Sequence, residues 1–225
     1  MNTFRTCYMC DQPATSDEHA PPKCLFPEQK DLPQGTDYRK KLIKVPSCDV
    51  HNTAKSKDDE YLLYILPASV GSNNVGLNQF LSKVQRAITR NSNLAKNLTE
   101  THVAVSIQDT TTNIWSNSVA LKIDISRIQD SLEKMARAIY FYHTNKKHLG
   151  SVSVVGNFTL SLDDISLNTR AQELFAMAEP ILCNQTIYGE NPAVFTFKIA
   201  SIESITLIEL AFYGSNKALA VLSNG

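Results

Sequence analysis

Hydrophobic and polar positions recur along this chain with two different periods. Over 77–98 the apolar residues Leu77, Phe80, Leu81, Val84, Ile88, Leu94 and Leu98 return at largely helical spacing. The pattern is clearest over 126–145, where Ile128, Leu132, Met135, Ala136, Ile139 and Tyr140 share one face. A further helix is expected over 169–179, stopped by Pro180, which lacks the N–H that would continue it. Residues 103–107, 119–123 and 151–162 read as strands. Over 193–222 apolar residues alternate strongly, with Phe195, Phe197 and Ile199 and then Ile205, Leu207, Ile208 and Leu210, which predicts two or three antiparallel strands.

The first 66 residues follow no such rhythm. Pro13, Pro21, Pro22, Pro27, Pro33 and Pro46 punctuate them, and long apolar runs are few. A segment of this kind buries little core by itself, which is the usual condition of a small metal-stapled module. Residues 67–76, with Pro67, Ser69, Gly71, Ser72, Asn73 and Asn74, read as a linker. The expectation is an α+β protein in two parts: a metal-stapled module over 1–66, and a mixed α/β domain with antiparallel strands over 77–225. No apolar run approaches the length of about 18 residues that a membrane helix needs. Residues 1–7 lack the apolar core of a secretory signal, so the expected compartment is the cytoplasm. The 22 basic and 22 acidic side chains cancel to a formal net charge of zero. Nucleic-acid binding, if any, must then come from a local patch or a metal.

Candidate chemistry gathers at the N-terminal end. Of the five cysteines, Cys7, Cys10, Cys24 and Cys48 all fall there. In a reducing compartment such a cluster reads as metal binding before it reads as disulfides. Cys7-Tyr8-Met9-Cys10 and Cys48-Asp49-Val50-His51 each offer two donors at two-residue spacing, and two such pairs complete a closed tetrahedron of the kind zinc occupies structurally. Cys24 is the rival to His51 for the fourth position, although it has no partner at that spacing. Between the pairs runs Ser16-Asp17-Glu18-His19-Ala20-Pro21-Pro22, and Asn52 directly follows His51. Glu18 and Asn52 carry the oxygen donors that Mg2+ or Mn2+ prefers, and His19 titrates near neutrality. Neighbouring strand residues point to opposite faces, so Glu18 and His19 serve one site only beside a bend, which Pro21 and Pro22 supply. Taken without the zinc pairs, Glu18 and His19 read first as a solvated loop; the zinc pairs around them reverse that reading.

The order CYMC, SDEHAPP, LIKVPSCDVHN and KSKDDEY, over residues 5–61, resembles the HNH, or ββα-metal, endonucleases. More narrowly it is similar to their zinc-stapled "HNN" variants. The resemblance implies a zinc held by Cys7, Cys10, Cys48 and His51, which pins a β-hairpin against a helix. It assigns Glu18 and Asn52 as ligands of a catalytic Mg2+ or Mn2+ and His19 as the base that activates water. Residues 42–45 would be the returning strand, and residues 48–63 the helix. The implied activity is hydrolysis of DNA phosphodiester bonds, with RNA as a further possible substrate, with defence against phage or foreign DNA as its setting and a homodimer as one route to double-strand cuts. The chain departs from the family in four ways. Glu18 stands where most relatives carry Asp, and His51 where the fourth staple ligand is often Cys. No counterpart of the middle Asn occurs, so the residue that orients the site is not identified. The loop over 23–41 is longer than usual and is expected to touch DNA.

Other positions admit two readings. Lys55, Ser56 and Asp59 follow Asn52 at helical spacing, either as phosphate contacts and supports of the site or as a charged solvated face. Lys23, Lys44 and the run Arg39-Lys40-Lys41 are candidate DNA contacts or plain surface. The stretch 142–148, with His143, Lys146, Lys147 and His148, either binds a ligand or ends a helix where cations are favoured. Trp115 and Cys183 are expected to be packing residues. Against the nuclease stands a non-catalytic zinc-ribbon module that binds nucleic acid or protein, which explains the cysteines but not Glu18, His19 and Asn52.

Overall fold

The computed structural model describes residues 5–53, 56–90, 102–108 and 112–224. Strand β1 (Ser16–His19) pairs antiparallel with β2 (Lys44–Ser47), Glu18 opposite Val45 and His19 opposite Lys44. Helices α1 (Asp49–Thr53) and α2 (Ser56–Ile65) follow directly. Next come α3 (Asn74–Gln79), a π turn (Phe80–Val84) and α4 (Gln85–Arg90). A two-stranded hairpin, β3 (His102–Gln108) and β4 (Trp115–Leu121), leads to the long α5 (Ile125–Thr144). The remainder is β5 (Ser151–Gly156), α6 (Ile165–Leu182), β6 (Tyr188–Asn191), β7 (Phe195–Ile202), β8 (Ile205–Phe212) and β9 (Asn216–Ser223). These five strands form one antiparallel sheet in the order β5-β9-β8-β7-β6. The fold is α+β, as the patterning implies.

The period of two sets the layers. Phe195, Phe197 and Ile199, with Ile208, Leu210 and Phe212 and with Ala218, Ala220 and Leu222, belong to the main core. That core also takes in the α5 stripe of Ile128, Leu132, Met135, Ala136 and Ile139, each no more than 1% exposed. Ala200, Leu207 and Leu219 form a smaller cluster with Ala178 and Leu182 of α6. Two helices thus serve two apolar sets of one sheet. Asp124 starts α5 by accepting the Arg127 N–H, and Asn145 ends it in the left-handed conformation.

Several boundaries differ from expectation. Helix α6 starts at Ile165, where Asp164 accepts the Ser166 N–H, and it runs through Pro180 to Leu182. A proline in the last turn removes a single N–H, and the Cys183 N–H still reaches the Glu179 carbonyl at 2.7 Å. Strand β5 stops at Gly156 because Asn157 turns back on Lys217, giving its N–H to that carbonyl and accepting the Lys217 N–H on Oδ1. Leu94 and Leu98 of the expected 77–98 helix lie outside the described residues.

The stretch 67–76 is not a free linker. Asn73 gives its N–H to the Tyr213 carbonyl at 2.6 Å, and the Ser215 N–H reaches Gly71 at 3.0 Å. Asn216, 1% exposed, donates to the Leu66 carbonyl and to Ser72 Oγ. A Cβ on Gly71 would stand 2.7 Å from Asn216 Oδ1, so only glycine admits this approach. The hydrophobic core is also continuous across the change in patterning. Cys7, Tyr8, Leu25, Phe26, Val45, Leu62 and Leu66 belong to the same cluster as Met135, Ile139, Phe212 and Tyr213. The boundary near residue 66 is therefore one of sequence pattern and not of packing. Too apolar-poor to close a core alone, the first 66 residues complete one against α5 and the sheet. Among the described residues no helix is long and apolar enough to cross a membrane.

Asn216→Ala removes both bonds that tie Leu66 and Ser72 to the β8–β9 turn. Unfolding free energy in urea should fall by about 1–3 kcal/mol, with bound zinc unchanged. An unchanged midpoint would show that the attachment of 67–76 does not depend on this amide.

Candidate metal centre and the neighbouring hairpin

Cys7 and Cys10 sit on a tight turn that precedes β1, closed by the Thr6–Pro13 bridge and by the Cys7 N–H on the Gln12 carbonyl at 2.9 Å. Cys48 follows β2 directly and His51 lies in α1. The β1–β2 pairing brings the two ends together, and the four ligand atoms all lie within 4.8 Å of one another. Nδ1 of His51 is 3.4 Å from Cys7 Sγ, 3.6 Å from Cys10 Sγ and 3.2 Å from Cys48 Sγ. Cys10 and Cys48 are 3.8 Å apart at sulfur. Zn–S bonds of about 2.3 Å and Zn–N bonds of about 2.0 Å, arranged tetrahedrally, have edges of about 3.8 Å between sulfurs and about 3.5 Å between sulfur and nitrogen. The cluster matches a zinc tetrahedron in donor type and in size.

Local electrostatics favour the ligating form at two thiols. The N–H of His51 pulls the Cys48 thiol below its ordinary range despite burial. Burial opposes ionisation of Cys7, but the N–H groups of Met9 and Cys48 and the His51 ring outweigh it and hold that thiol low as well. The thiolate is the ligand, so both shifts favour metal. Cys24, the rival fourth ligand, is elsewhere: its Sγ donates to the Asp59 carbonyl at 3.4 Å, and burial pushes its thiol up to about 12.

The hairpin beside this cluster separates its two candidate groups by face. Glu18 points inward, 5% exposed, and its Oε1 accepts the Tyr8 hydroxyl at 3.2 Å. His19 is half-buried on the opposite face, at the last residue of β1. Burial lowers its pKa, with Lys44 and then Lys23 adding to the effect. Asn52 donates from Nδ2 to Ser16 Oγ at 2.8 Å. Ser16 and Glu18 are two residues apart and share a face, so Asn52 and Glu18 lie on the same side of β1. Their donor chemistry, a carboxylate and an amide oxygen, suits a hard divalent cation such as Mg2+ or Mn2+.

The basic candidates divide. Lys23 and Lys44 are exposed and near His19. Lys55 lies outside the described residues, as does the side chain of Ser56. Asp59 is half-buried, close enough to Tyr8 and Cys24 to raise both their pKa values, so it faces inward and not along a solvated helix surface. The loop over 23–41 is held down internally. Arg39 donates from Nε and Nη2 to the Phe26 carbonyl, and Asp31 takes a two-pronged contact from Arg86 at 2.9 and 2.6 Å. Glu28 gathers Lys30 and Lys83, whose hydrogen bonds bring its pKa down to about 2. These ion pairs fold the loop onto the π turn and α4.

Three expectations change. Within 142–148, His143 stacks edge-on against Tyr188 and Phe197, His148 is buried, and Lys147 donates to the Cys10 carbonyl at 2.6 Å and to Asp11 at 2.9 Å. Lys147 is thus a brace on the cysteine turn. Trp115 is 63% exposed, since β3 and β4 pair only with each other. Cys183 is exposed at the end of α6. Neither is a core residue. Sequence reading missed Tyr8 and gave Lys147 a different role, because nothing local to either residue indicates which distant group it meets.

No family model matches this chain, nor does any curated protein or solved structure.

Cys48→Ser should release about one equivalent of zinc and unfold the hairpin, because metal binding and folding are coupled in such sites. Cys24→Ser should keep its zinc. Elemental analysis of both variants decides the ligand set, and loss of zinc from Cys24→Ser would overturn it.

Proposed function

We propose that this protein is a metal-dependent endonuclease of the HNH type, with Cys7, Cys10, Cys48 and His51 as a structural zinc site. The reading rests on one observation above all: a zinc-sized Cys3His cluster pins a short hairpin to a helix, with Glu18, His19 and Asn52 on the pinned elements. It also draws on the resemblance of residues 5–61. Glu18 and Asn52 would hold Mg2+ or Mn2+, which supplies a Lewis acid for the scissile phosphate and the leaving oxygen.

The chain's own groups then have distinct tasks. His19, kept neutral near pH 7 by its lowered pKa, accepts the proton of the attacking water. Lys23 and Lys44, exposed near that ring, attract the phosphate backbone without reading sequence. With zero net charge, this local pair matters more than any global field. A single site of this kind cuts one strand, so a double-strand break takes two copies of the chain or two successive nicks. DNA is the proposed substrate, with RNA as an arm of the test. The competing reading is a zinc-dependent binding module without chemistry, which accounts for the cysteines but assigns no role to Glu18, His19 and Asn52.

His19→Ala leaves the zinc ligands, the cation ligands and both lysines in place. Nicking of supercoiled plasmid in Mg2+ or Mn2+ should fall by about two to four orders of magnitude. DNA affinity at fixed salt should hardly change, because phosphate contacts supply most of it. EDTA should abolish cleavage by the wild type. Equal cleavage by the two proteins at matched zinc content would remove His19 from the mechanism and favour the binding module.

A further inference from the structure

The hydroxyl of Tyr8 donates directly to the Glu18 carboxylate. Its position is dictated by the zinc turn. Tyr8 lies between Cys7 and Cys10, its N–H is held by the Pro46 carbonyl of β2 at 2.8 Å, and its ring is 1% exposed within the main core. The Cys10 end of the same turn is braced from outside by Lys147. The ring therefore has little freedom, and the hydroxyl is presented at 3.2 Å from Oε1 of Glu18.

A glutamate is longer by one methylene than an aspartate and has one more rotatable bond to restrain. Burial together with a hydrogen bond to one oxygen restrains it. The buried phenol presents its hydroxyl to Oε1 of Glu18 as a donor, so the carboxylate is held from the core side.

We propose that Tyr8 is a positioning residue: carried on the zinc turn, it orients the Glu18 carboxylate for a divalent cation and so couples the zinc site mechanically to the cation site. The proposal rests on the nuclease reading, because that reading makes Glu18 a cation ligand. It also assigns the orienting role that the resemblance left open, since the middle Asn of the family has no counterpart here. No bond is made or broken by Tyr8. Its contribution lies in holding a ligand, a role whose loss typically costs about 10–100-fold in metal affinity.

Tyr8→Phe removes the hydroxyl and keeps the buried ring. The zinc-loaded full chain would be titrated with Mn2+, free ion being read by electron paramagnetic resonance, alongside wild type, Glu18→Gln and the double variant. The expected result is about tenfold weaker Mn2+ binding in Tyr8→Phe, with zinc content and circular dichroism unchanged. Glu18→Gln should lose the site, and the double variant should do no worse than Glu18→Gln alone. In plasmid nicking, the Mn2+ concentration for half-maximal rate should rise by the same factor while the saturated rate is retained. Wild-type Mn2+ affinity in Tyr8→Phe overturns the role of Tyr8 and leaves the nuclease reading intact. Loss of zinc from Tyr8→Phe also overturns it, because the hydroxyl would then serve the turn itself. A wild-type chain that neither binds Mn2+ nor cleaves defeats both proposals together.

Discussion

The convergence of four ligand atoms from two separated segments is the constraint on which the N-terminal architecture depends. Cys7 and Cys10 come from a turn before β1, Cys48 and His51 from the start of the first helix, and all four meet within 4.8 Å. Bringing such segments together costs loop-closure entropy, and each of the two strands between them is only four residues long. A pair of strands that short is not stable in isolation. A tetrahedral ion held by this cluster would offset the cost of closure and so support the register that sets Glu18 opposite Val45 and the placement of Tyr8.

The Cys/His cluster does not hold this arrangement alone. Val45, Leu62 and Leu66 are buried in the same core as Met135, Ile139 and Phe212. Polar attachments follow the same course: Arg127 to Asp58 at 2.8 Å, Asn191 to the Lys40 carbonyl at 2.9 Å, and Lys147 to Cys10. Exposed ion pairs contribute little each, so the apolar contacts carry most of the stability and the polar ones set the register between hairpin and sheet. Disturbance of α5 would consequently reach the cysteine turn through Lys147, without touching a ligand.

Strong periodicity was legible and long-range packing was not. The α5 stripe and the alternation of β7 to β9 could be read because each face meets a continuous apolar layer, so local pattern and tertiary demand agree. Pro180 misled because its position in the last turn, and not its mere presence, decides whether a helix stops. The turn-rich composition of 67–76 describes the chain's local preference, whereas its partners, Tyr213 and Asn216, lie far along the sequence. Among the site residues, the zinc donors announced themselves by paired spacing. Tyr8, a residue between two cysteines, carries no such signal, and its meeting with Glu18 depends on how the hairpin closes. Trp115 failed in the opposite sense: its size implied burial, yet a hairpin paired only with itself leaves it largely in solvent.

The period of two in β1 also explains how one short strand can serve two kinds of group. Glu18 faces the interior, where a phenol donor and low solvent access fix its geometry. His19, the next residue, faces the other way, half-buried and within the field of Lys44 and Lys23. In the proposed nuclease a confined carboxylate would hold a cation in one place, whereas an imidazole that exchanges protons needs contact with water and a pKa near the working pH. Alternation supplies both environments from adjacent positions, without any loop excursion. On that proposal the two groups would meet one substrate only at the strand's end, and β1 does end at His19, with Ala20 and Pro21 buried immediately beyond it. Lengthening β1 by a residue would carry His19 back into the paired strand and away from that edge, so the prolines that follow it would belong to the proposed site as much as the side chains they flank.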